Sequence, residues 1–164
     1  MKKILIIGSS GAGKSTFTKR LAKKLNIDAI HLDHLFWLPD WKERPNNQFD
    51  NLLHKELTKD SWIIDGNYHR TLPERLKYSD TVIHLDFNRW LCLYRAIKRW
   101  FLKKEKQAPD CSHKFSIGFF WFILYQYPKE YKIESKAYKE LHPDINWIDL
   151  QNSTQAEQFL QNIK

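Results

Sequence analysis

A chain of 164 residues with 27 Lys and Arg against 19 Asp and Glu has the length of one ordinary domain, and its formal net charge of +8 favours acidic partners such as nucleotides, phosphorylated compounds or nucleic acid. Two cysteines, Cys92 and Cys111, exclude a disulfide framework or a four-cysteine zinc site and imply free thiols in a reducing compartment, so the expected location is cytoplasmic. No stretch has linker composition, no repeat is visible, and the most apolar run, residues 117–125, falls far short of the ~20 residues that span a bilayer.

The first element is the apolar run Ile4-Leu5-Ile6-Ile7, read as a strand and too short for the core of an export signal. It leads directly into Gly8-Ser9-Ser10-Gly11-Ala12-Gly13-Lys14-Ser15, which fits G-x-x-x-x-G-K-[ST], a phosphate-binding signature. Its glycines let backbone N–H groups surround phosphate oxygens, Lys14 adds a point charge, and Ser15 offers a hydroxyl to Mg²⁺. Phe17, Leu21 and Leu25 then recur every four residues, so a helix begins at the loop and aims its unpaired N–H groups and positive dipole end at the phosphate. Residues 8–15 and the adjoining Thr16 are therefore the expected nucleotide-binding set.

Asn26 ends this helix, and Ala29-Ile30-His31-Leu32 reads as a second strand ending at Asp33. Residues 34–46 mix aromatic and basic side chains with Pro39 and Pro45 and are expected to form a shaped loop. A helix over residues 47–58 follows, with Phe49, Leu52, Leu53 and Leu57 as its apolar stripe. The stretch 61–67 is a third strand with Asp65 at its end, positioned to hold a Mg²⁺-bound water; the alternative is an aspartate capping the next helix.

A short helix over 71–78 and a fourth strand over 81–87 lead to Asn88, the expected cap of a long basic helix burying Leu91, Cys92, Tyr94, Ile97 and Phe101. Arg95 and Arg99, four residues apart, share a face of it, although a basic cluster of this kind also suits a solvated surface. Residues 105–116 have the character of a loop or lid. An aromatic helix then runs to about residue 127, Pro128 interrupts it, and a polar helix continues to about residue 141. Residues 145–150 form a fifth strand, and Ser153 or Thr154 caps a terminal helix carrying Ala156, Phe159, Leu160 and Ile163. Five strands separated by helices imply an α/β fold, a parallel sheet covered on both faces.

Three further blocks carry a family likeness: His31-Leu32-Asp33-His34-Leu35-Phe36-Trp37 with Trp41-Lys42-Glu43-Arg44-Pro45; Trp62-Ile63-Ile64-Asp65-Gly66-Asn67-Tyr68-His69-Arg70-Thr71-Leu72-Pro73-Glu74-Arg75-Leu76; and Leu85-Asp86-Phe87-Asn88-Arg89-Trp90-Leu91-Cys92-Leu93-Tyr94-Arg95-Ala96-Ile97-Lys98-Arg99. With the phosphate loop they resemble the bacterial DNA topology modulation proteins, a small P-loop family itself similar to adenylate kinases, most strongly over residues 1 to about 105. The resemblance implies a three-layer P-loop NTPase fold of the adenylate and shikimate kinase kind, with a five-stranded parallel sheet in the order 2-3-1-4-5. It further implies a single domain over 1–164, with an acceptor-side insertion at about 33–60 and a lid at about 100–128. Asp65-Gly66 followed by Arg70-Thr71 resembles the D-G-x-x-R-T of adenylate kinases with one residue added, which implies that Arg70 holds an acceptor's phosphate. Arg95 and Arg99 look like the paired lid arginines of those kinases, one stacking on adenine and one contacting phosphate.

Phosphoryl transfer requires two substrates in line and neutralisation of charge on the γ-phosphoryl oxygens. The expectation is that residues 8–16 hold ATP, that Ser15 and Asp65 attend Mg²⁺, and that Lys14, Arg95 and Arg99 act in catalysis. Asp33 is the candidate to orient or deprotonate an acceptor hydroxyl of nucleoside or nucleotide type, with a metal-side or purely structural role as alternatives. If the acceptor is itself a phosphate, Arg44 and Arg70 are its anchors. Phe36, Trp37 and Trp41 either stack on its ring or pack internally.

Two other classes compete: an ATP-dependent DNA-binding protein that modulates DNA topology, for which no helix-turn-helix, zinc finger or basic arm is visible, and a nucleotide-binding module with little turnover. The expected partners are ATP and a small-molecule acceptor, with no membrane, in a monomer or homodimer. His31, His34 and His84 read as structural, and Cys111 with His113 is too small a set for zinc.

Overall fold

The computed structural model describes residues 1–102 and 117–163. Its main sheet contains β1 (Lys3–Gly8), β2 (Ala29–His31), β5 (Trp62–Asp65), β6 (Thr81–Leu85) and β7 (Asn146–Leu150), while β3 (Trp37–Leu38) and β4 (Lys42–Glu43) form a small antiparallel ribbon. The main strands are all parallel and lie in the order β2-β5-β1-β6-β7. With the ribbon set aside, this is the expected order 2-3-1-4-5.

Period-two alternation divides the core. Ile4 and Ile6 of β1 face one way, among Phe17, Leu21, Ile83, Cys92 and Leu160. Leu5 and Ile7 face the other, among Phe49, Leu53, Leu57, Trp62 and Leu76. Because helices cover both faces, the central strands read as unbroken apolar runs. The first face is covered by α1 (Lys14–Leu25), α5 (Arg89–Leu102) and α8 (Ser153–Asn162), the second by α3 (Asn46–Leu57) and α4 (Leu72–Tyr78).

Several ends follow the sequence. Asn26 closes α1 in the left-handed conformation (φ 53°), its N–H bonded to Ala22 O. Asn88 caps α5, its Oδ1 accepting from Trp90 N at 2.9 Å.

Other expectations are corrected. β2 stops at His31, where its pairing with β5 ends, so Asp33 sits in the first turn of a short helix, α2 (Leu32–Phe36), rather than at a strand end. The stretch 34–46 contains the end of that helix and the β3–β4 ribbon, which turns through Pro39–Trp41. In α5 the buried residues are the small ones, Cys92 and Ala96, whereas Tyr94 and Phe101 are 59% and 70% exposed. Pro128 does not break its helix. From α6 (Ile117–Trp121) the path continues through Phe122–Tyr131 in wide π turns and into α7 (Lys132–Leu141). The wider turn accommodates the proline ring and its missing N–H. Finally, Asn152 rather than Ser153 or Thr154 caps α8, accepting from Gln155 N at 2.9 Å. The candidate lid at 105–116, with Cys111 and His113, lies outside the described residues.

Candidate functional site

In parallel α/β sheets the carboxyl ends of the strands leave a crevice for ligands. Here a cavity of about 440 Å³ opens there, lined by the loop from Ser10 to Thr16, by His31, Asp33, His34 and Asp65, and by Arg95, Arg99 and Ser153.

The loop is shaped by its own backbone and by two neighbours. Ala12 N donates to Ser9 O at 3.1 Å, and Gly8 N donates to Asn67 Oδ1 at 3.2 Å. A Cβ at Gly11 would lie 2.1 Å from Cys92 O, so the loop backbone rests directly on α5. Gly13 has open space around it but a φ of +92°, so there glycine is required for conformation rather than for room. The first N–H of α1 to bond within the helix is that of Phe17, to Gly13 O at 3.0 Å. The N–H groups of residues 14–16 precede it at the cavity wall and suit phosphate oxygens.

Lys14 Nζ donates to Gly8 O at 2.8 Å and Ser9 O at 3.2 Å. Burial lowers its pKa, opposed by the carboxylates of Asp65 and Asp33. The hydroxyl of Ser15 and the carboxylate of Asp65 are hard oxygen donors on the wall of one cavity, which fits a Mg²⁺ ion that keeps several waters. Among the described residues no group of three or more His, Cys, Asp or Glu forms a fuller metal cage.

Asp65 ends β5, is 4% exposed, and its Oδ2 lies 2.9 Å from His31 Nδ1. Asp33 Oδ1 accepts from the Tyr68 hydroxyl at 2.6 Å. Burial, together with the charge of Asp33, raises the Tyr68 phenol far above its ordinary range and keeps it a donor. Burial likewise lowers the pKa of His34, and His31 lowers it further; the two imidazole rings lie 5.1 Å apart.

On the other side of the cavity, Arg95 Nη2 donates to Ser153 Oγ at 2.8 Å, and its guanidinium sits 5.6 Å from the Phe87 ring. Arg20 pairs with Glu157 nearby, Nη2 to Oε2 at 2.6 Å.

Thus the loop, Ser15, Asp33, Asp65, Arg95 and Arg99 meet at one cavity, and two expected anchors do not line it. Arg44 Nε donates to Leu35 O at 2.6 Å. Arg70 holds Asp50 with two bonds, at 3.0 and 2.6 Å. Phe36, Trp37 and Trp41 pack in series, with ring centroids 4.9 and 5.3 Å apart, and Phe36 continues onto Tyr68 at 4.9 Å.

The sequence reading missed the support of this wall. Arg75 is fully buried, donates to Gly66 O and Tyr68 O at 2.9 Å each, and also bonds Asn67 O. It fastens a turn in which Tyr68 adopts a φ of +29°. Burial pushes the guanidinium down to about 9, which leaves it cationic at neutral pH. The available signal was position: Arg75 falls within the apolar stripe Leu72, Arg75, Leu76, where a long cation must find partners.

A parallel sheet of this order, with the phosphate loop between its central strand and α1, defines a P-loop NTPase fold. The chain is similar in structure to the shikimate kinase from Acinetobacter baumannii in complex with shikimate, at 20% identity and a TM-score of 0.60, over 99% of this chain and 90% of that one. It is also similar to the shikimate kinase from Bacteroides thetaiotaomicron, at 18% identity and a TM-score of 0.58, over 96% and 93% of the two chains. At these identities the likeness is one of fold. In sequence it is 34% identical over 86 residues, 51% of the chain, to the uncharacterized protein YqaC of Bacillus subtilis (strain 168), and the match spans 48% of that relative's length. No family model matches the chain. Among the described residues no helix is long and apolar enough to cross a membrane.

Proposed function

We propose that the chain is a phosphotransferase that moves the γ-phosphoryl group of ATP to a hydroxyl of a small acceptor of nucleoside or nucleotide type. The observation that carries this reading is the shared cavity: the phosphate loop and the carboxylate of Asp33 line the same space. A carboxylate so placed can take the proton of an acceptor hydroxyl, and the same group could orient a water, so transfer and hydrolysis are separated by the label-transfer test.

The loop amides, Lys14 and Ser15 would hold the phosphates, Arg95 and Arg99 would cover the nucleotide, and Asp65 would attend Mg²⁺ through water. ATP supplies the transferable group, and the metal neutralises charge on its phosphates. Asp33 keeps one oxygen on Tyr68 and turns the other to the acceptor hydroxyl, whose proton it takes. Residues 33–60 form the acceptor side of this single domain. The buried free thiol of Cys92 suits a reducing, cytoplasmic setting. Action on DNA has no observation in its favour among the described residues.

The test is transfer of label from γ-labelled ATP with Mg²⁺ to a panel of nucleosides, nucleotides and small alcohols. The reading expects a labelled phosphomonoester from at least one of them. Tight ATP binding without transfer to any would leave a nucleotide-binding module instead.

A further inference from the structure

We infer that Tyr68 is a positioning residue for the transfer: its hydroxyl holds one oxygen of Asp33, so that the other is presented to the acceptor from a place fixed relative to the phosphate loop. This rests on the phosphotransferase reading and deepens it, since Tyr68 acts only through Asp33.

Asp33 does not fix its own carboxylate. It stands in the first turn of α2, a helix of five residues, and its side chain turns about two bonds. Among the described residues the Tyr68 hydroxyl is the side-chain group that donates to it, at 2.6 Å, the length of a charge-assisted bond. Asp33 lines the cavity and Tyr68 does not, so the hydroxyl meets a substrate only by way of the carboxylate. Because burial and the charge of Asp33 keep the phenol protonated, the contact stays a donor at working pH.

The place of the hydroxyl is itself built. The Tyr68 ring packs on Phe36 and Phe49, with centroids 4.9 and 5.4 Å away. Its backbone takes a φ of +29°, which a residue with a Cβ seldom adopts. The carbonyl is held there by Arg75 Nη2 at 2.9 Å and by N and Oγ1 of Thr71 at 3.0 Å each. The two residues before it tie the same turn to both substrate sides. Asn67 Oδ1 accepts from Gly8 N at 3.2 Å, where the phosphate loop begins. A Cβ on Gly66 would lie 2.8 Å from Leu32 Cβ, so the turn rests on the residue beside Asp33. Residues 66–68 thereby reference the carboxylate to the loop that would hold ATP.

In the transfer step the acceptor O–H bond breaks and its proton goes to the free oxygen of Asp33, while the acceptor oxygen bonds the γ-phosphorus. The bond from that phosphorus to the β–γ bridging oxygen breaks, and its electron pair leaves with ADP. Attack of this kind is sensitive to orientation, and a displaced base costs rate without costing ATP affinity.

The experiment is a double-mutant cycle on the full chain with γ-labelled ATP, Mg²⁺ and an acceptor that the parent labels. Tyr68→Phe keeps the ring and removes the hydroxyl; Asp33→Ala removes its partner. The ATP dissociation constant and urea midpoint of each variant are read alongside the rate of transfer at saturating ATP and acceptor. The inference expects Tyr68→Phe to lower the rate roughly 10- to 100-fold with ATP affinity within about twofold of the parent. It also expects the double variant to match Asp33→Ala alone within about twofold, because a group that acts through Asp33 has nothing left to position. An unchanged rate in Tyr68→Phe would overturn it, as would a double variant slower than Asp33→Ala by the full Tyr68→Phe factor. So would an ATP affinity that falls with the rate, which would make the hydroxyl part of the scaffold. Each of these leaves the phosphotransferase reading in place. A parent chain that labels no acceptor would overturn both.

Discussion

On the proposed reading Lys14 serves a ligand, whereas Gly11 serves the fold, although both lie in one loop. The ammonium of Lys14 sits at a desolvation cost and bonds two carbonyls of its own loop. Lys14→Ala should therefore weaken ATP binding by about 10- to 100-fold, the value of a charge-assisted bond to phosphate, and leave the unfolding free energy within roughly 0.5 kcal/mol. Calorimetric titration with ATP and a urea unfolding curve check the two halves. Gly11→Ala acts differently. Its methyl would meet Cys92 O at 2.1 Å, forcing the loop off α5 at a φ of +86° that alanine avoids. A loss of about 1–3 kcal/mol in unfolding free energy is expected, together with loss of ATP binding.

At the scale of elements, the turn before α4 joins the two walls of the cavity. Asn67 Oδ1 bonds the start of the phosphate loop, Tyr68 bonds Asp33, and Arg75 fixes both from below. Arg75→Met would strip the buried Gly66 carbonyl and the half-buried Asn67 carbonyl of this donor, while Tyr68 O keeps the bonds from Thr71, and is expected to cost about 1–3 kcal/mol in urea unfolding, above an ordinary surface change.

The parts of this arrangement differ in how far the sequence revealed them. The phosphate loop and the five main strands were legible because glycine spacing and apolar runs are local signals, although β2 stops at His31, short of Asp33. The buried face of α5 was not. Periodicity marks which side of a helix is apolar, but not that the Gly11 backbone lies against the Cys92 carbonyl, nor that Cys92 and Ala96 are inside while Tyr94 and Phe101 are outside. Arg70 and Arg75 show the same limit. Arg70 precedes and Arg75 lies within one short helix, and only the fold reveals that one grips Asp50 at the surface and the other lies in the core.

For the molecule as a whole, β7 is the edge strand at one end of the sheet, and a small polar network binds it to its surroundings. His84 of β6 donates to Asp149 at 3.1 Å, and Lys139 of α7 donates to the same carboxylate at 2.5 Å. The bond from His84, assisted by Lys139, holds the Asp149 carboxyl below the ordinary carboxylate range against the opposing effect of burial. The folded state therefore binds fewer protons here than the unfolded chain, whose aspartates titrate near ~3.9. The resulting stabilisation is fully present above about pH 4 and is lost as the pH falls toward the lower folded value. Chemical denaturation from pH 6 down to pH 2 should show Asp149→Asn with a shallower acid decline than the parent chain. Equal slopes would assign the decline to other carboxylates.

The two-sided cavity is the centre of the account, and Asp33→Asn separates its sides. The measurement is the rate of label transfer from saturating ATP to acceptor, made alongside the ATP dissociation constant of the same variant. The account predicts a rate lower by roughly 10²- to 10⁴-fold, the range of a lost general base, with ATP affinity within about twofold of the parent. An unchanged rate, or a rate and an ATP affinity that fall together, would contradict it.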